Sequence, residues 1–256
     1  MSKTLAIVNQ KGGVGKTTTA FHIGMALSEN LRVLFVDLDP QGGLTFTITG
    51  KDPDSIDLTI AEVMLDEIPI ENTITKAKEN VHFIPSNIQL SLAEAFLINA
   101  FQREFILRKN LKTIKENYDI IIIDTPPSLG LLTINALLAS DGIIIPVESR
   151  FLGFRGLSIL FRLLNKLEKA VEGFSTQNYV LGILPTFFSR TVLSKEIVNE
   201  LKEKLNYRIF DPIVETVKIA EAPALGKTIF ERSAENPASI AYKNLAKEIE
   251  KWVKNS

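Results

Sequence analysis

Residues 9–19, NQKGGVGKTTT, are the stretch around which the rest of this chain is organised. An apolar run, residues 5–8, precedes it, and an amphipathic stretch with apolar residues between positions 21 and 27 follows it. The order of strand, glycine-rich turn and helix is the context that a phosphate-binding loop requires. Glycines let successive N–H groups point at one anion, and the helix N-terminus adds partial positive charge. The stretch therefore predicts a site for the phosphates of a nucleotide.

The side chains of this loop suggest how the phosphates are held. Lys16 is expected to reach the β- and γ-phosphates, and the Thr17 hydroxyl is expected to ligate Mg²⁺. The loop departs from the common G-x-x-x-x-G-K-[ST] form, because Gln10 stands where glycine is usual and Lys11 adds a second lysine. A flexible surface loop is the alternative, and the flanking strand and helix disfavour it. The predicted nucleotide-binding residues of the loop are Lys11, Gly12, Gly13, Val14, Gly15, Lys16, Thr17 and Thr18.

A second motif, DLDPQG at residues 37–42, begins where another apolar run ends. Asp37 and Asp39 are two residues apart, so they point the same way in an extended chain. A carboxylate here is expected to orient the attacking water or to contact Mg²⁺ through a water. Gly42 and Gly43 predict a segment that is free to move. A pair of strand-end aspartates that caps a turn is the alternative.

The third motif is four isoleucines followed by Asp124, the pattern of a Walker B aspartate. A carboxylate at the end of a buried strand is expected to hold Mg²⁺ directly or through a water. The prolines of residues 125–127 turn the chain away from the strand, and residues 129–139 predict a helix whose start senses the γ-phosphate. A capping aspartate is the alternative.

Three segments together resemble the deviant Walker A ATPases of the ParA/MinD family. They are KGGVGKTT at residues 11–18, DLDPQG at residues 37–42 and IIIDTPPSLG at residues 121–130. The resemblance extends from about residue 3 to about residue 250, and it is nearest to the short, chromosomal-type ParA proteins of the Soj kind. It implies a P-loop ATPase that uses ATP and Mg²⁺.

The resemblance also implies roles for individual residues. Lys11, Lys16 and Asp39 would be catalytic, and Thr17, Asp39 and Asp124 would hold the metal. In this family the first lysine reaches the phosphates of a second subunit, so Lys11 implies an ATP-dependent homodimer in which it acts like an arginine finger. A solvated loop lysine is the alternative for Lys11.

The resemblance places two further contacts in the C-terminal part of the chain. Val214 and Thr216 would line the adenine pocket. Arg190 matches an arginine that ParA relatives use to touch double-stranded DNA without sequence preference, and Lys218 replaces a second such arginine. Glu215 stands where some relatives have another arginine. The net charge of −1 and the pI of about 6.2 mean that only a local basic patch can supply such binding. Solvated helix faces are the alternative.

Composition narrows the class of protein. Hydrophobic residues make up 45% and charged residues 23% of the 256 residues, as in an ordinary globular domain. The absence of cysteine excludes disulfides and iron–sulfur sites held by thiolates. No run approaches the roughly 20 apolar residues of a membrane span, and no signal peptide is evident at the start. We expect one P-loop ATPase domain over residues 1–256, in the cytoplasm and associated with the nucleoid.

The distribution of apolar residues predicts an α/β fold with a doubly wound, mostly parallel sheet and helices on both faces. Continuous apolar runs, which favour strands buried on both sides, alternate with helical patterns. All three motifs follow strands, so they should meet at the carboxyl edge of the sheet. The expected strands are residues 5–8, 33–36, 81–84, 120–123, 142–147 and 179–184. The expected helices are near residues 17–29, 57–66, 88–99, 102–117, 130–139, 153–171, 191–206 and 238–253.

The resemblance implies a ParA-type ATPase that forms an ATP-sandwich homodimer, binds DNA nonspecifically and partitions chromosomes or plasmids. A ParB-like partner would stimulate hydrolysis. The alternative is a related ATPase that positions another protein cargo on the nucleoid or membrane. The membrane version is disfavoured, because it would require a basic amphipathic tail after the last helix and none is seen. Metabolic relatives are disfavoured: the nitrogenase reductases need cysteine, and P-loop ligases such as dethiobiotin synthetase lack the lysine at position 11.

Overall fold

Seven strands form a single sheet in the computed structural model, which describes residues 2–150, 154–172, 174–189, 191–224 and 226–255. Within these residues no helix is long and apolar enough to cross a membrane. The strands are β1 (Lys3–Ile7), β2 (Val33–Asp37), β3 (Thr75–Lys78), β4 (Val81–Ile84), β5 (Ile120–Asp124), β6 (Gly142–Glu148) and β7 (Val180–Thr186).

Helices connect the strands and cover the sheet. They are α1 (Lys16–Leu27), α2 (Gly43–Thr49), α3 (Ile60–Met64), α4 (Gln89–Leu97), α5 (Ile106–Ile114), α6 (Leu131–Ala139), α7 (Phe154–Ala170), α8 (Thr176–Tyr179), α9 (Val192–Lys204), α10 (Val217–Ala224), α11 (Ile229–Arg232) and α12 (Pro237–Lys254). Helices α1 and α12 share one core with the sheet, and a second core includes residues of α3 to α7 and of α9. The predicted doubly wound α/β fold is confirmed.

The strand order places the three motifs side by side. It is β3-β4-β2-β5-β1-β6-β7, with every neighbouring pair parallel except β3 and β4. Strands β2, β5 and β1, which precede the three motifs, are therefore adjacent. Their register aligns Asp124 with Ile7 on one side and with Asp37 on the other. The motif residues consequently meet at one point of the carboxyl edge.

The central strands are buried on both faces, as their continuous apolar runs predicted. All five residues of β2 are buried, and alternate side chains enter different cores. Leu34 and Val36 belong to one core, whereas Val33 and Phe35 belong to the other. Each such side chain stabilises the fold by about 1.5–3 kcal/mol when removed from water.

Several elements differ from the sequence-based expectation. Strand β3 was not predicted, because its sequence TKAK is exposed throughout and has no apolar run. Its lysines are typical of an edge strand that resists pairing with another chain. The short helices α2, α8, α10 and α11 were also missed, since 4–8 residues carry little periodic signal.

Gly42, one of the two glycines predicted to give the segment after β2 freedom to move, is needed for close packing. Gly42 has a left-handed φ of 61° and is the N-cap of helix α2. A Cβ there would lie 2.5 Å from Pro53 Cβ and 2.9 Å from the Ser86 carbonyl oxygen. Close packing therefore requires glycine at position 42, and the segment that follows is helical.

The packing of α1 on β2 makes a stability prediction. A Cβ at Gly24 would lie 2.2 Å from Phe35 Cζ. Gly24→Ala should lower the free energy of unfolding by about 1–3 kcal/mol, because the core must shift to admit the methyl group. Urea denaturation measures this change. Gly156→Ala in α7 is the control: its Cβ would meet only Asn9 Oδ1 at 3.9 Å, so that variant should be unchanged or slightly stabilised. Equal stability of Gly24→Ala and wild type would contradict the described packing.

Candidate nucleotide site

The loop between β1 and α1 has the backbone of an anion cradle. Gly13 and Gly15 adopt φ values of 73° and 87°, which side chains strongly disfavour. Asn9 fixes the start of the loop, because its Oδ1 accepts a hydrogen bond from Lys11 N at 2.9 Å while its Nδ2 donates to the Pro146 carbonyl at 2.6 Å. The loop is thus attached to the end of the neighbouring strand β6.

Two other strand ends support the same loop. The Thr186 hydroxyl, at the end of β7, donates to the Val14 carbonyl at 2.9 Å. A Cβ on Gly12 would lie 3.6 Å from Pro127 Cβ, so the loop also lies against the segment that follows β5. These contacts hold the loop before any ligand arrives, which lowers the entropic cost of binding.

Lys16, the first residue of α1, extends back over the loop. Its side chain is buried, and its ammonium group donates to the Lys11 carbonyl at 3.2 Å. Burial lowers the pKa of Lys16, whereas the nearby carboxylates of Asp124 and Asp39 act in the opposite direction. The structure therefore brings together Lys16 and the two aspartates that the sequence had assigned to the same site.

Asp124 is a fully buried carboxylate whose charge is only partly compensated. Its Oδ2 accepts a hydrogen bond from the Thr17 hydroxyl at 2.6 Å, and its Oδ1 meets no donor among the described residues. Burial raises the pKa of Asp124 well above its usual range, and the neighbouring Asp37 adds to this effect. An unpartnered carboxylate oxygen beside a hydroxyl fits a hard divalent cation such as Mg²⁺.

Asp37 and Asp39, alike in the sequence, have different environments. Asp37 is fully buried, and its Oδ2 accepts hydrogen bonds from the backbone N and the hydroxyl of Thr45, both at 2.7 Å. Burial raises the pKa of Asp37 to about 6. Asp39 is half-buried and its carboxylate accepts a backbone hydrogen bond from Gln41 at 3.0 Å. Asp37 thus anchors helix α2, whereas Asp39 is the member of the pair that a ligand can reach.

A cavity of about 230 Å³ adjoins the loop on the side of α10 and α12. Val214 and Thr216, predicted adenine contacts, line it together with two loop residues, Gly15 and Thr18. Phe187 forms part of the wall and has a left-handed φ of 50°, which is strained for an aromatic residue. The structure thus places the predicted base contacts beside the phosphate loop.

Arg150 was not identified from the sequence, and it compensates the negative charge of Glu215. Its guanidinium group forms an ion pair with the Glu215 carboxylate and lies 5.4 Å from the centre of the Phe187 ring. The negative charge at position 215 is therefore neutralised within the chain. Lys218 donates to the Ser233 hydroxyl at 3.0 Å on the exposed surface, and Arg190 lies outside the described residues.

Lys11 extends away from its own loop. Its side chain is 46% exposed, and its ammonium group forms an ion pair with Glu148, the last residue of β6. Glu148 was missed in the sequence, although its position at the carboxyl end of a buried strand is the same signal that identified Asp124. The two lysines of the loop thus have separate environments, one buried over the loop and one at the surface.

His22, for which the sequence suggested no catalytic role, connects the start of α1 to the C-terminal helices. Its Nε2 accepts a hydrogen bond from Ile229 N at 3.1 Å, so Nδ1 carries the proton and donates to the Thr18 carbonyl at 2.8 Å. The ring stacks on Tyr242 with centroids 5.1 Å apart. Burial lowers the pKa of His22 to about 4, which keeps the ring neutral. Neutral His22 therefore connects the loop to α11 and α12.

Comparison with known proteins agrees with this geometry. The profile of a family described as an AAA domain matches residues 2–177. The chain is 38% identical over 253 residues to the sporulation initiation inhibitor protein Soj of Bacillus subtilis, covering 97% of this chain and 98% of that protein. It is 36% identical over 255 residues to the chromosome partitioning protein ParA of Myxococcus xanthus, with 98% and 89% covered.

This chain belongs to the ParA/MinD family of ATPases. ATP is accordingly its nucleotide and Mg²⁺ its metal cofactor. A solved structure of cobyrinic acid a,c-diamide synthase from Mycobacterium smegmatis, with bound ATP analog and magnesium, has a TM-score of 0.85 and 33% identity. The superposition covers 100% of this chain and 98% of that one.

The pKa of His22 leads to a prediction about pH. A histidine whose pKa is lowered on folding contributes stability above its unfolded pKa of about 6.5 and loses it as pH falls through 4. The advantage of wild type over His22→Gln should therefore narrow by about 3 kcal/mol between pH 7 and pH 4. Asp37, whose raised pKa acts in the opposite direction, is present in both chains and cancels.

Urea denaturation of the nucleotide-free proteins at a series of pH values measures this difference. NMR titration of the His22 ring gives the pKa independently. A stability difference that does not change between the two pH values would contradict the buried, neutral histidine.

Proposed function

We propose that this chain is a ParA-type partitioning ATPase that works as an ATP-sandwich homodimer. The dimer would hold DNA nonspecifically, which would associate it with the nucleoid, and a ParB-like partner would stimulate hydrolysis and release. The observation that carries this proposal is the separation of Lys11 from Lys16. Because Lys16 already lies over its own loop, the exposed Lys11 is left to act on the phosphates of a second subunit.

The residues of one subunit suffice to bind the nucleotide in this proposal. Backbone N–H groups of residues 12–18 and the Lys16 ammonium would hold the phosphates, and Val214 and Thr216 would contact the base. Thr17 and Asp124 would hold Mg²⁺, with Asp39 contacting it through a water, and the ion would neutralise phosphate oxygens as charge develops. Asp39 would orient the attacking water, because its carboxylate is the accessible member of the aspartate pair.

The Lys11–Glu148 ion pair suggests how the second subunit is recruited. We infer that Glu148 holds the Lys11 ammonium while no partner is present. A triphosphate bears several negative charges, so it attracts this ammonium group more strongly than one carboxylate does. Lys11 would then leave Glu148 for the partner's nucleotide, where it would stabilise the transition state in the manner of an arginine finger.

Substitution of the two loop lysines should therefore impair different steps, ATP binding for Lys16 and ATP turnover for Lys11. Lys16→Ala should abolish ATP binding, because it removes the charge over the subunit's own phosphates. Lys11→Ala should bind ATP almost normally and yet lose turnover by about 10³-fold, since the charge that Lys11 contributes would be missing from the second subunit's phosphates. Fluorescent-nucleotide titration and phosphate release measure the two effects.

The control for these variants is Lys112→Ala, an exposed lysine on α5, which should resemble wild type in both assays. Unchanged nucleotide affinity of Lys16→Ala would contradict the phosphate-loop assignment. An ATP turnover rate of Lys11→Ala equal to that of wild type would contradict the proposed action of Lys11 across a dimer interface.

DNA binding is the direct test of the partitioning proposal. Affinity for random-sequence duplex DNA should require ATP and should fall steeply between 50 and 200 mM salt, because phosphate contacts release counterions. Lys218→Ala and Arg190→Ala should each lower the slope of log affinity against log salt by about 1. Lys109→Ala, an exposed lysine on α5, is the matched control and should keep the wild-type slope.

Two outcomes of this titration would contradict DNA binding by the dimer. The first is the absence of DNA binding at low salt, which would favour a protein cargo instead. The second is equal affinity for DNA with and without ATP. Capture of partners by the ATP-loaded Asp39→Ala form distinguishes the two functions further, since it recovers either a centromere-binding protein or a different adaptor.

The likeness to the amide synthase suggests a second candidate, an ATP-dependent amidation. Lys11 favours the partitioning ATPase, because a second loop lysine is redundant when one chain activates its own nucleotide. Phosphate release with ATP and Mg²⁺ alone would support the ATPase. Release that requires a carboxylic acid and an ammonia donor would support the synthase.

A further inference from the structure

Helix α4 exposes a stripe of large apolar side chains. Leu92 and Phe96 are 57% and 73% exposed, and Ile88, just before the helix, is 45% exposed. These residues are four positions apart, so they lie along one side of the helix. The opposite side of α4 is buried in the core through Leu90, Ala93 and Leu97.

The apolar surface continues at both ends of the helix. Leu58, in a segment alongside the start of α4, is 46% exposed, and Phe101, just beyond the end of α4, is 90% exposed. Soluble proteins rarely leave so many large apolar side chains together in water unless a partner covers them. We call the surface formed by Leu58, Ile88, Leu92 and Phe96 the α4 face.

Hydrogen bonds of the residues that lead into this helix connect it to the segment that follows β2. Ile88 N donates to Asp54 Oδ1 at 3.2 Å, at the start of α4. Nearby, Ser86 N donates to the Thr45 hydroxyl at 2.9 Å, and that hydroxyl donates in turn to Asp37. A shift of α4 would therefore be felt by the aspartate segment of the nucleotide site.

The same helix also contacts the segment that follows β5. Glu94 Oε1 accepts a hydrogen bond from Leu132 N at 3.2 Å, in the first turn of α6. Helix α6 begins a few residues after Asp124, and its start was predicted to sense the γ-phosphate. Helix α4 thus bridges the two segments that surround the proposed catalytic centre.

The charges beside the α4 face identify the kind of partner. Asp52, Asp54 and Asp57 are exposed near the N-terminal end of α4. No described residue forms an ion pair with any of these three aspartates. At the other end, Arg103 is paired with Glu104 at 3.0 Å. The surface is therefore apolar with uncompensated negative charge, and a basic amphipathic segment complements it.

We propose that the α4 face docks a short amphipathic segment of a partner protein, apolar on one side and rich in lysine or arginine. Its apolar side chains cover Leu92 and Phe96, and its cations pair with Asp54 and Asp57. Docking changes ATP turnover through the bonds of α4 to the two nucleotide-site segments. This last step depends on the proposed ATPase cycle, whereas the docking itself does not.

The charges disfavour other occupants. An anionic lipid surface would be repelled by the three aspartates. A second copy of this chain, related by a two-fold axis, would bring like charges together at the same face. The test below also covers these two occupants, by self-association for a second copy and by vesicle binding for a lipid surface.

The test uses the full chain and two synthetic helical peptides with the same leucine pattern, one with lysine and one with glutamate at the polar positions. Binding is followed by fluorescence anisotropy, with and without ATP. The test variants are Leu92→Ser/Phe96→Ser and Asp57→Asn. The matched controls are Val192→Ser/Leu193→Ser, a comparably exposed apolar pair on α9, and Glu235→Gln, an exposed carboxylate elsewhere.

The lysine peptide should bind at least about 10-fold more tightly than the glutamate peptide, and Leu92→Ser/Phe96→Ser should weaken it by about 10-fold or more. Asp57→Asn should weaken it by about 3-fold at low salt, and the two controls should bind like wild type. The bound peptide should change phosphate release by about twofold or more in wild type but not in Leu92→Ser/Phe96→Ser.

Four results would overturn the proposal. They are equal affinity for the two peptides, wild-type affinity in Leu92→Ser/Phe96→Ser, loss of self-association in that variant, and its loss of binding to vesicles of anionic lipid that wild type binds. A bound peptide without effect on phosphate release would overturn the coupling to turnover. If wild type releases no phosphate at all, the proposed ATPase cycle fails, and peptide binding still decides the docking site.

Discussion

A buried negative charge at the meeting of three strands is the constraint on which this site depends. Asp124 ends β5 between β1 and β2, and the parallel register aligns it with Asp37. Burying a carboxylate without a partner costs several kcal/mol, so the surroundings must supply positive charge. The Lys16 ammonium supplies part of it, the Thr17 hydroxyl donates a hydrogen bond, and a divalent cation is suited to supply the remaining positive charge. Charge compensation therefore links the fold to nucleotide binding.

The rest of the site is held by contacts between strand ends. Asn9, Thr186 and Thr45 each use a short polar side chain to attach a loop to a neighbouring segment. His22 and Tyr242 perform the same task beneath the base cavity. The phosphate loop is consequently positioned by elements from both ends of the chain, which makes it sensitive to movements of α11 and α12. Lys11 alone among the loop's charged side chains is directed to the surface.

The parts of this fold that could be predicted from sequence are those with a strong local signal. Continuous apolar runs indicated the six parallel strands, and glycine, lysine and aspartate at fixed positions indicated the phosphate loop and Asp124. Strand β3 could not be predicted, because TKAK has no apolar pattern and becomes a strand only by pairing with β4. Glu148, Arg150 and His22 were missed for a related reason. The strand end locates Glu148 at the edge of the site, but its partner Lys11 is 137 residues away in sequence. No local pattern shows such a contact, nor the bond between His22 and Ile229.

The central claim is that two subunits close around their nucleotides, each providing Lys11 to the other. Analytical ultracentrifugation of Asp39→Ala with ATP and Mg²⁺ tests it most directly, because this form should bind ATP without hydrolysing it. The account predicts a dimer that returns to monomer when ADP replaces ATP, and a monomer when Lys11→Ala is added to the same chain. A monomer at high concentration with saturating ATP would contradict it.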